Sequence, residues 1–273
     1  MSLNHKPYVI VLGNEKGGTG KSTVAMHIIT SFLRQGYKVG SIDIDARQGT
    51  LSRYVENRRA RSNTNPEEHL PMPDHYSIFR SEKDMLEESK EEDSKNLKET
   101  LQKLSDHDYV IIDTPGNDTY LSRLAHSYAD TLITPLNDSF IDLDVLARVN
   151  PETMEVVKPS TYSEMVWDQK KERAIRDKRN IDWIVLRNRL SSVGSRNKED
   201  MRKVLDALSK RIGFRLVPGF GERVIFRELF LNGITLLDLR ESRIAMSLSH
   251  VAARQELNQL LEMVQIPKQR KAG

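Results

Sequence analysis

The chain of 273 residues contains no cysteine, and this absence excludes several kinds of chemistry. Without thiols there are no disulfides, no cysteine nucleophile and no cysteine-ligated zinc or iron–sulfur centre. Long apolar runs are lacking as well, and neither a signal peptide nor a lipidation motif is recognisable. The seven histidines have no paired spacing of the kind a metal site needs. These absences predict a cytoplasmic protein that does not bind membranes.

A glycine-rich segment at residues 14–23, Asn-Glu-Lys-Gly-Gly-Thr-Gly-Lys-Ser-Thr, is the most informative feature present. It follows an apolar run at residues 8–12 and precedes a helical pattern at residues 22–34, which is the context of a phosphate-binding loop. Glycines let backbone N–H groups surround phosphate oxygens, and the helix dipole favours the same anion. A βα turn without a ligand would not need the Gly-Lys-Ser-Thr ending. We therefore predict bound nucleoside triphosphate.

In this loop we expect Lys21 to reach the β- and γ-phosphates and the Ser22 hydroxyl to ligate Mg²⁺. Since no other metal signal exists, Mg²⁺ is the only metal expected. The residues predicted to hold the nucleotide here are Gly17, Gly18, Thr19, Gly20, Lys21, Ser22 and Thr23.

Two further apolar runs end in carboxylates. Residues 38–44 lead to Asp43 and Asp45, and residues 109–112 lead to Asp113. Continuous apolar runs are typical of parallel strands buried on both faces, and ligands of open α/β sheets lie beyond their carboxyl ends. A single aspartate here would more simply be a turn or capping residue. Three of them favour a nucleotide and metal site.

The fold class follows from the recurrence of such runs along the whole chain. Further strand-like segments lie at residues 130–135, 182–186 and 213–218, separated by helical patterns. This alternation predicts an α/β protein with a single doubly wound, mostly parallel sheet and helices on both faces. No Pro/Gly/Ser-rich linker interrupts it, so we expect one domain over residues 1–273. Residues 62–104 read as a polar, charged insertion, and residues 265–273 as a short basic tail.

Charge is distributed unevenly. Residues 170–273 carry 23 Lys and Arg against 12 Asp and Glu, a net charge of +11, and residues 1–169 carry a net charge of −8. This asymmetry favours a polyanion-binding face over an ordinary solvated helix. No base-reading motif is present, so binding to double-stranded DNA should be non-specific and salt-sensitive. The DNA-binding candidates are Arg196, Lys198, Arg202, Lys203 and Arg223.

The loop carries an additional lysine, Lys16, and its spacing resembles the variant phosphate loop of the ParA/MinD family of ATPases. The resemblance implies an ATP-bound homodimer in which Lys16 reaches the nucleotide of the partner subunit. It also implies that Asp113 holds Mg²⁺ through water, with Asp43 near the metal, and that Asp45 orients the attacking water. Gly116 would sense the γ-phosphate. The alternative for Lys16 is a solvated surface charge.

The second half of the chain resembles the same family. Asn188 follows a strand at the point where the family contacts adenine, and Pro218 begins the segment that closes over the base and the dimer interface. Within the family, residues 13–15, 135–140, 166–183 and 252–257 resemble the MipZ group of division-plane positioning ATPases. That resemblance implies recruitment by ParB, non-specific binding of nucleoid DNA and inhibition of FtsZ assembly.

Three alternatives remain open at this stage. A ParA-type segregation ATPase would share the nucleotide site and the DNA binding. A MinD-like membrane ATPase would need an amphipathic C-terminal anchor, but the leucines at residues 257–261 favour packing on the domain, and residues 268–273 have no apolar face. A metabolite-modifying enzyme on the same fold would need neither Lys16 nor the basic face.

Overall fold

The computed structural model describes residues 6–150, 153, 155–190, 195–242, 244 and 246–269, without the side chains of residues 140 and 195–200. Its centre is a parallel seven-stranded sheet of order β3-β2-β4-β1-β5-β8-β9, beside an antiparallel hairpin of β6 and β7. The strands are β1 Tyr8–Leu12, β2 Val39–Asp43, β3 Asp74–Ser77, β4 Tyr109–Asp113, β5 Thr131–Asn137, β6 Ala147–Val149, β7 Val156–Pro159, β8 Asp182–Asn188 and β9 Arg215–Pro218.

Helices cover both faces of this sheet. They are α1 Lys21–Arg34, α2 Thr50–Thr64, α3 Leu86–Lys103, α4 Tyr120–Tyr128, α5 Phe140–Leu143, α6 Thr161–Asp177, α7 Ser195–Leu208, α8 Ile225–Leu231 and α9 Leu248–Val264. One apolar core joins the sheet to α3, α4, α6 and α7, and a second joins the opposite face to α1, α2, α8 and α9. The predicted doubly wound α/β fold is therefore confirmed. Within the described ranges, no helix is long and apolar enough to cross a membrane.

Strand register places the predicted carboxylates at one edge. The central strands β1, β2 and β4 are buried almost throughout, as their continuous apolar runs predict. Leu12 of β1 and Asp43 of β2 both pair with Asp113 of β4, so the three strands end level. The loops that follow them therefore meet at the carboxyl edge of the sheet.

The polar segment at residues 62–104 contributes a strand and a helix to the α/β fold, although its composition predicted an insertion. It supplies β3, the edge strand, which pairs in parallel with β2, and α3, which buries Leu97 against the core. Sequence analysis missed β3 because its side chains are polar. His75 of β3 makes hydrogen bonds with Ser41 (2.8 Å) and Ser52 (3.0 Å), and Tyr76 packs against the apolar core, so this strand is fixed largely by polar contacts and by one aromatic ring.

Candidate nucleotide site

A cleft of about 670 Å³ opens at the carboxyl edge, where the loops after β1, β2 and β4 converge. Such a volume suits a nucleotide-sized ligand. Ten of the predicted site residues line the cleft: Gly17, Gly18, Thr19, Gly20, Lys21, Ser22, Thr23, Asp45, Asp113 and Gly116. The fold thus brings together residues that lie up to 99 positions apart in the chain.

The loop before α1 requires glycine for two separate reasons. Gly18 and Gly20 have φ angles of +72° and +92°, in the left-handed region that side chains disfavour. A Cβ on Gly20 would also lie 2.3 Å from Nδ2 of Asn188. That same Nδ2 donates to the Thr19 carbonyl at 2.8 Å, so Asn188 holds the loop from β8. α1 then begins at Lys21 with its N-terminus facing the cleft, an arrangement that favours phosphate.

Gly116, in the loop after β4, packs directly against the phosphate loop. A Cβ on Gly116 would lie 2.7 Å from the backbone N of Gly17, so no larger residue fits without displacing that backbone. The loop after β4 and the phosphate loop therefore lie in close backbone contact. The role of Gly116 as a sensor of the γ-phosphate stays a prediction.

Lys21 lies folded back along the loop. Its Nζ donates to the carbonyls of Asn14 (3.2 Å) and Lys16 (3.0 Å), and the residue is almost completely buried. Burial lowers the pKa of the Lys21 amine, while Asp113 and Asp45 oppose that change. Because the acceptors of this ammonium among the described residues are neutral carbonyls, it is available to an anionic ligand.

Asp113 carries a carboxylate oxygen without a partner. Its Oδ2 accepts from Ser22 Oγ at 2.5 Å, whereas the buried Oδ1 has no hydrogen-bond partner among the described residues. Burial raises the pKa of Asp113 to about 7, and Asp43 contributes in the same direction. Hydroxyl and carboxylate oxygens are the donors that Mg²⁺ prefers, and the orphaned Oδ1 fits a metal-bound water. Ser22 and Asp113 therefore fit the implied Mg²⁺.

Asp43 and Asp45 occupy different environments. Asp43 is fully buried, and its two oxygens accept from the backbone N of Asp45 (3.0 Å) and from both N and Oγ of Ser52 (2.9 Å each). Asp45 lines the cleft, and its pKa is raised by burial and by Asp43. In this arrangement Asp43 anchors the turn that presents Asp45. A contact between Asp43 and the metal shell stays a prediction.

Lys16, Asn188 and Pro218 lie outside the lining of the cleft. The Lys16 ammonium donates to the Ile141 carbonyl (2.6 Å) and to Asp142 (2.9 Å). Asn188 sits beneath the loop, as described above, and Pro218 pairs with Arg187 at the end of β9. The roles inferred from the family for these three residues stay predictions.

Sequence analysis did not single out seven residues that line the cleft. They are Arg47, Gln48, Thr50, Thr114, Pro115, Asn117 and Arg189. Asn117 directly follows Gly116, and Arg189 directly follows Asn188, so proximity to a recognised motif was the available signal. Arg47, Gln48 and Thr50 are brought in by the turn after β2, and no local pattern marks them.

The predicted DNA-binding residues are not equivalent in the structure. Arg202 and Lys203 are exposed on α7, where Arg202 lies 3.8 Å from Asp206. Arg223 instead forms a two-pronged pair with Glu256 of α9, with an Nη2–Oε1 distance of 2.8 Å. The side chains of Arg196 and Lys198 lie outside the described part of the chain.

A parallel sheet carrying this loop at its carboxyl edge defines a P-loop ATPase of the ParA/MinD type. The sequence also matches the model of one family, described as ATPase MipZ, over residues 8–268. The chain therefore belongs to the MipZ family of ATPases.

Solved structures share this fold. An ATP complex of a McdA variant from Cyanothece superposes with a TM-score of 0.60 at 20% identity, covering 98% of this chain and 100% of that one. The septum site-determining protein MinD from Pyrococcus horikoshii OT3, complexed with Mg-ADP, gives a TM-score of 0.56 at 18% identity and covers 95% and 96%.

A curated relative matches part of the sequence. The cytosolic Fe–S cluster assembly factor NUBP2 homolog of Nematostella vectensis is 31% identical over 125 residues, or 41% of this chain and 46% of that protein. The chain thus spans less than half the length of the curated relatives it matches.

Proposed function

We propose that the protein is an ATP-dependent dimerising switch that positions the cell-division site. The observation that carries this proposal is the direction of Lys16. This lysine belongs to the phosphate loop, yet its side chain does not line its own cleft and lies about one-third exposed. A lysine of the phosphate loop whose side chain points away from its own cleft can contact a nucleotide bound by a second subunit. The ATP form would then be a homodimer.

In the proposed site, Lys21 and the loop N–H groups bind the phosphates, and Ser22 and Asp113 hold Mg²⁺. When bound, Mg²⁺ would neutralise charge on the β- and γ-phosphates. Asp45 faces the cleft with a raised pKa, so it is placed to orient a water molecule for slow hydrolysis. Gly116 would transmit the presence of the γ-phosphate to the loop it touches.

Dimerisation is tested with Lys16→Ala. Because Lys21 and the loop glycines remain, this variant should still bind ATP while staying monomeric in light scattering. Lys6→Ala, which removes an exposed lysine outside the cleft, is the matched control and should dimerise normally. An ATP-dependent dimer of Lys16→Ala would remove the cross-subunit role.

The proposed cellular target, FtsZ, is tested by sedimenting its polymers with the Asp45→Ala protein, in which hydrolysis is blocked. With ATP we expect less sedimented FtsZ, and with ADP no change. If neither nucleotide state alters sedimentation, while ATP still produces a dimer that ParB complexes engage, the chain is a ParA-type segregation ATPase instead. We further propose that ParB recruits the monomer to the cytoplasmic nucleoid.

Non-specific DNA binding is the third part of the proposal. It is supported by the net charge of +11 over residues 170–273 and by the exposure of Arg202 and Lys203. Replacing Arg196, Lys198 and Arg202 with alanine should weaken retention of double-stranded DNA without affecting dimerisation. The control replaces the exposed lysines Lys83, Lys95 and Lys98. Equal retention by both triple variants would place the DNA-binding face elsewhere.

A further inference from the structure

A second cavity lies at the amino edge of the sheet, at the opposite end of the strands from the nucleotide cleft. Its volume of about 930 Å³ suits a small-molecule ligand. Val9 near the start of β1 and Asp130 just before β5 line it, together with residues of α3 and α6. The lining residues of the cavity and of the nucleotide cleft, both drawn from the described ranges, share no member. The two sites are therefore separate.

Positive charge dominates the lining of this cavity. Five basic side chains are present against two acidic ones, and three of the five are arginines that follow one another at intervals of three residues at the end of α6. The basic residues are Lys6, Lys98, Arg173, Arg176 and Arg179, and the acidic residues are Asp130 and Asp177. A concave surface that carries an excess of one sign of charge attracts ions of the opposite sign.

Two of the arginines already use both acidic side chains. The Arg173 side chain is buried and donates to Asp130 and to the Tyr128 carbonyl. Its Nε lies 3.5 Å from Asp177 and has no hydrogen-bond partner among the described residues. Arg176 donates to the same Asp177 at 2.8 Å. These contacts leave no carboxylate of the cavity for the remaining cations.

The remaining three cations keep most of their charge for a ligand. Lys6 and Lys98 are exposed, and neither forms an ion pair with another described residue. Arg179 is 56% exposed, and its guanidinium lies 3.5 Å from Asp130, which is longer than a good hydrogen bond. Guanidinium and ammonium groups are the side chains that bind phosphate oxygens.

We propose that this cavity is a second ligand site, which binds a small anion carrying at least two phosphate groups. Several phosphate charges match the uncompensated charge of Lys6, Lys98 and Arg179, which approach the cavity from three different segments of the chain. A cavity of this size encloses a small ligand, whereas duplex DNA could contact it only from outside. The proposal does not depend on the division-site function, because it uses none of the residues of the nucleotide cleft.

The test is isothermal titration calorimetry with pyrophosphate as the probe, on the full chain saturated with Mg-ADP in excess Mg²⁺ so that the nucleotide cleft is filled. The double variant Lys98→Met and Arg179→Met removes cations from two sides of the cavity. Lys95→Met with Lys171→Met is the matched control, since it removes the same charge from exposed positions of α3 and α6 outside the cavity. We expect the dissociation constant to rise about five- to tenfold in the first double variant and less than about twofold in the control.

A parallel titration with fructose bisphosphate distinguishes the source of the phosphates. Tighter binding than that of pyrophosphate would indicate an organic ligand, and weaker binding an inorganic one. Circular dichroism verifies that both double variants are folded.

Two results would overturn the proposal. Pyrophosphate that binds both double variants equally well would bind elsewhere on the protein. If neither probe binds the parent protein, while Lys98→Met with Arg179→Met loses retention of double-stranded DNA, these cations belong to the DNA-binding face. An absence of binding to the parent protein without any change in DNA retention would exclude the site altogether.

Discussion

Two groups of buried charge in this molecule, each centred on a buried aspartate, are satisfied in opposite ways. In the first, Arg58 and Asp238 are both completely buried, and Arg58 donates two hydrogen bonds to Asp238, of 2.7 and 3.0 Å. Arg34 and the backbone and hydroxyl of Thr235 also donate to Asp238. In the second, Asp113 receives one hydrogen bond, from Ser22, and its other oxygen receives none from the described residues.

The ionisation of the two aspartates follows from this difference. Burial by itself would raise the pKa of Asp238, but hydrogen bonds and charge from Arg58 and Arg34 lower it to about 2. Burial, with a further contribution from Asp43, raises the pKa of Asp113 to about 7 against the opposing effects of Ser22 and Lys21. The chain itself supplies the hydrogen-bond donors for the buried carboxylate of Asp238. The described residues supply no donor for Oδ1 of Asp113, which leaves that oxygen open to a ligand.

The largest expected effect comes from breaking the complete group. Arg58→Met leaves Asp238 buried with less compensation, and we expect the free energy of unfolding to fall by about 3 kcal/mol. Arg59→Met is the matched control, because Arg59 is the exposed neighbour on α2 and its loss should cost about 0.5 kcal/mol or less. Urea unfolding measures both. Equal unfolding midpoints would mean that the Arg58–Asp238 pair does not stabilise the fold.

Removing the charge of Asp113 should have the opposite effect and raise the free energy of unfolding. Asp113→Asn removes a carboxylate that the folded protein prefers to keep protonated, so the variant should be more stable than the parent without nucleotide. The pKa of Asp113 is about 7 in the folded protein against an ordinary value of 3.8, so the parent's free energy of unfolding falls as the pH rises from about 4 to about 7. The gain from Asp113→Asn should therefore be about 3 kcal/mol larger at pH 8 than at pH 5. Parallel unfolding curves for both proteins across this range would contradict the prediction.

The partly exposed pair of Arg223 and Glu256 should give the smallest change in the free energy of unfolding. Arg223 and Glu256 hold each other at the surface, and Glu256 also accepts from the backbone N of Gly221. Arg223→Met should lower the free energy of unfolding by about 1 kcal/mol. Because its guanidinium is already paired, DNA retention in a filter assay should change less than after Arg202→Met, the exposed arginine of α7. A larger loss of retention for Arg223→Met would show that this pair opens to bind DNA.

The nucleotide site was predictable to the extent that it is local in sequence. Ten of the predicted residues line one cleft, because a glycine-rich turn and two buried strands leave characteristic patterns within a few residues. The strands β1, β2, β4, β5, β8 and β9 were recognisable from apolar runs for the same reason. β3 was not, since an edge strand held by His75 has no apolar signature.

Local patterns in the chain were enough to predict the fold class, the phosphate loop and the carboxylates at the carboxyl edge of the sheet, because backbone geometry and burial impose short-range patterns on residue choice. The tertiary structure alone decided how the charges are paired. Lys16 is held by Asp142, and Arg223 is held by Glu256. Such pairs join residues far apart in the chain, and a charge has no sequence pattern that names its partner. Coulombic attraction depends on the distance between two charges in space, and only the folded chain defines that distance.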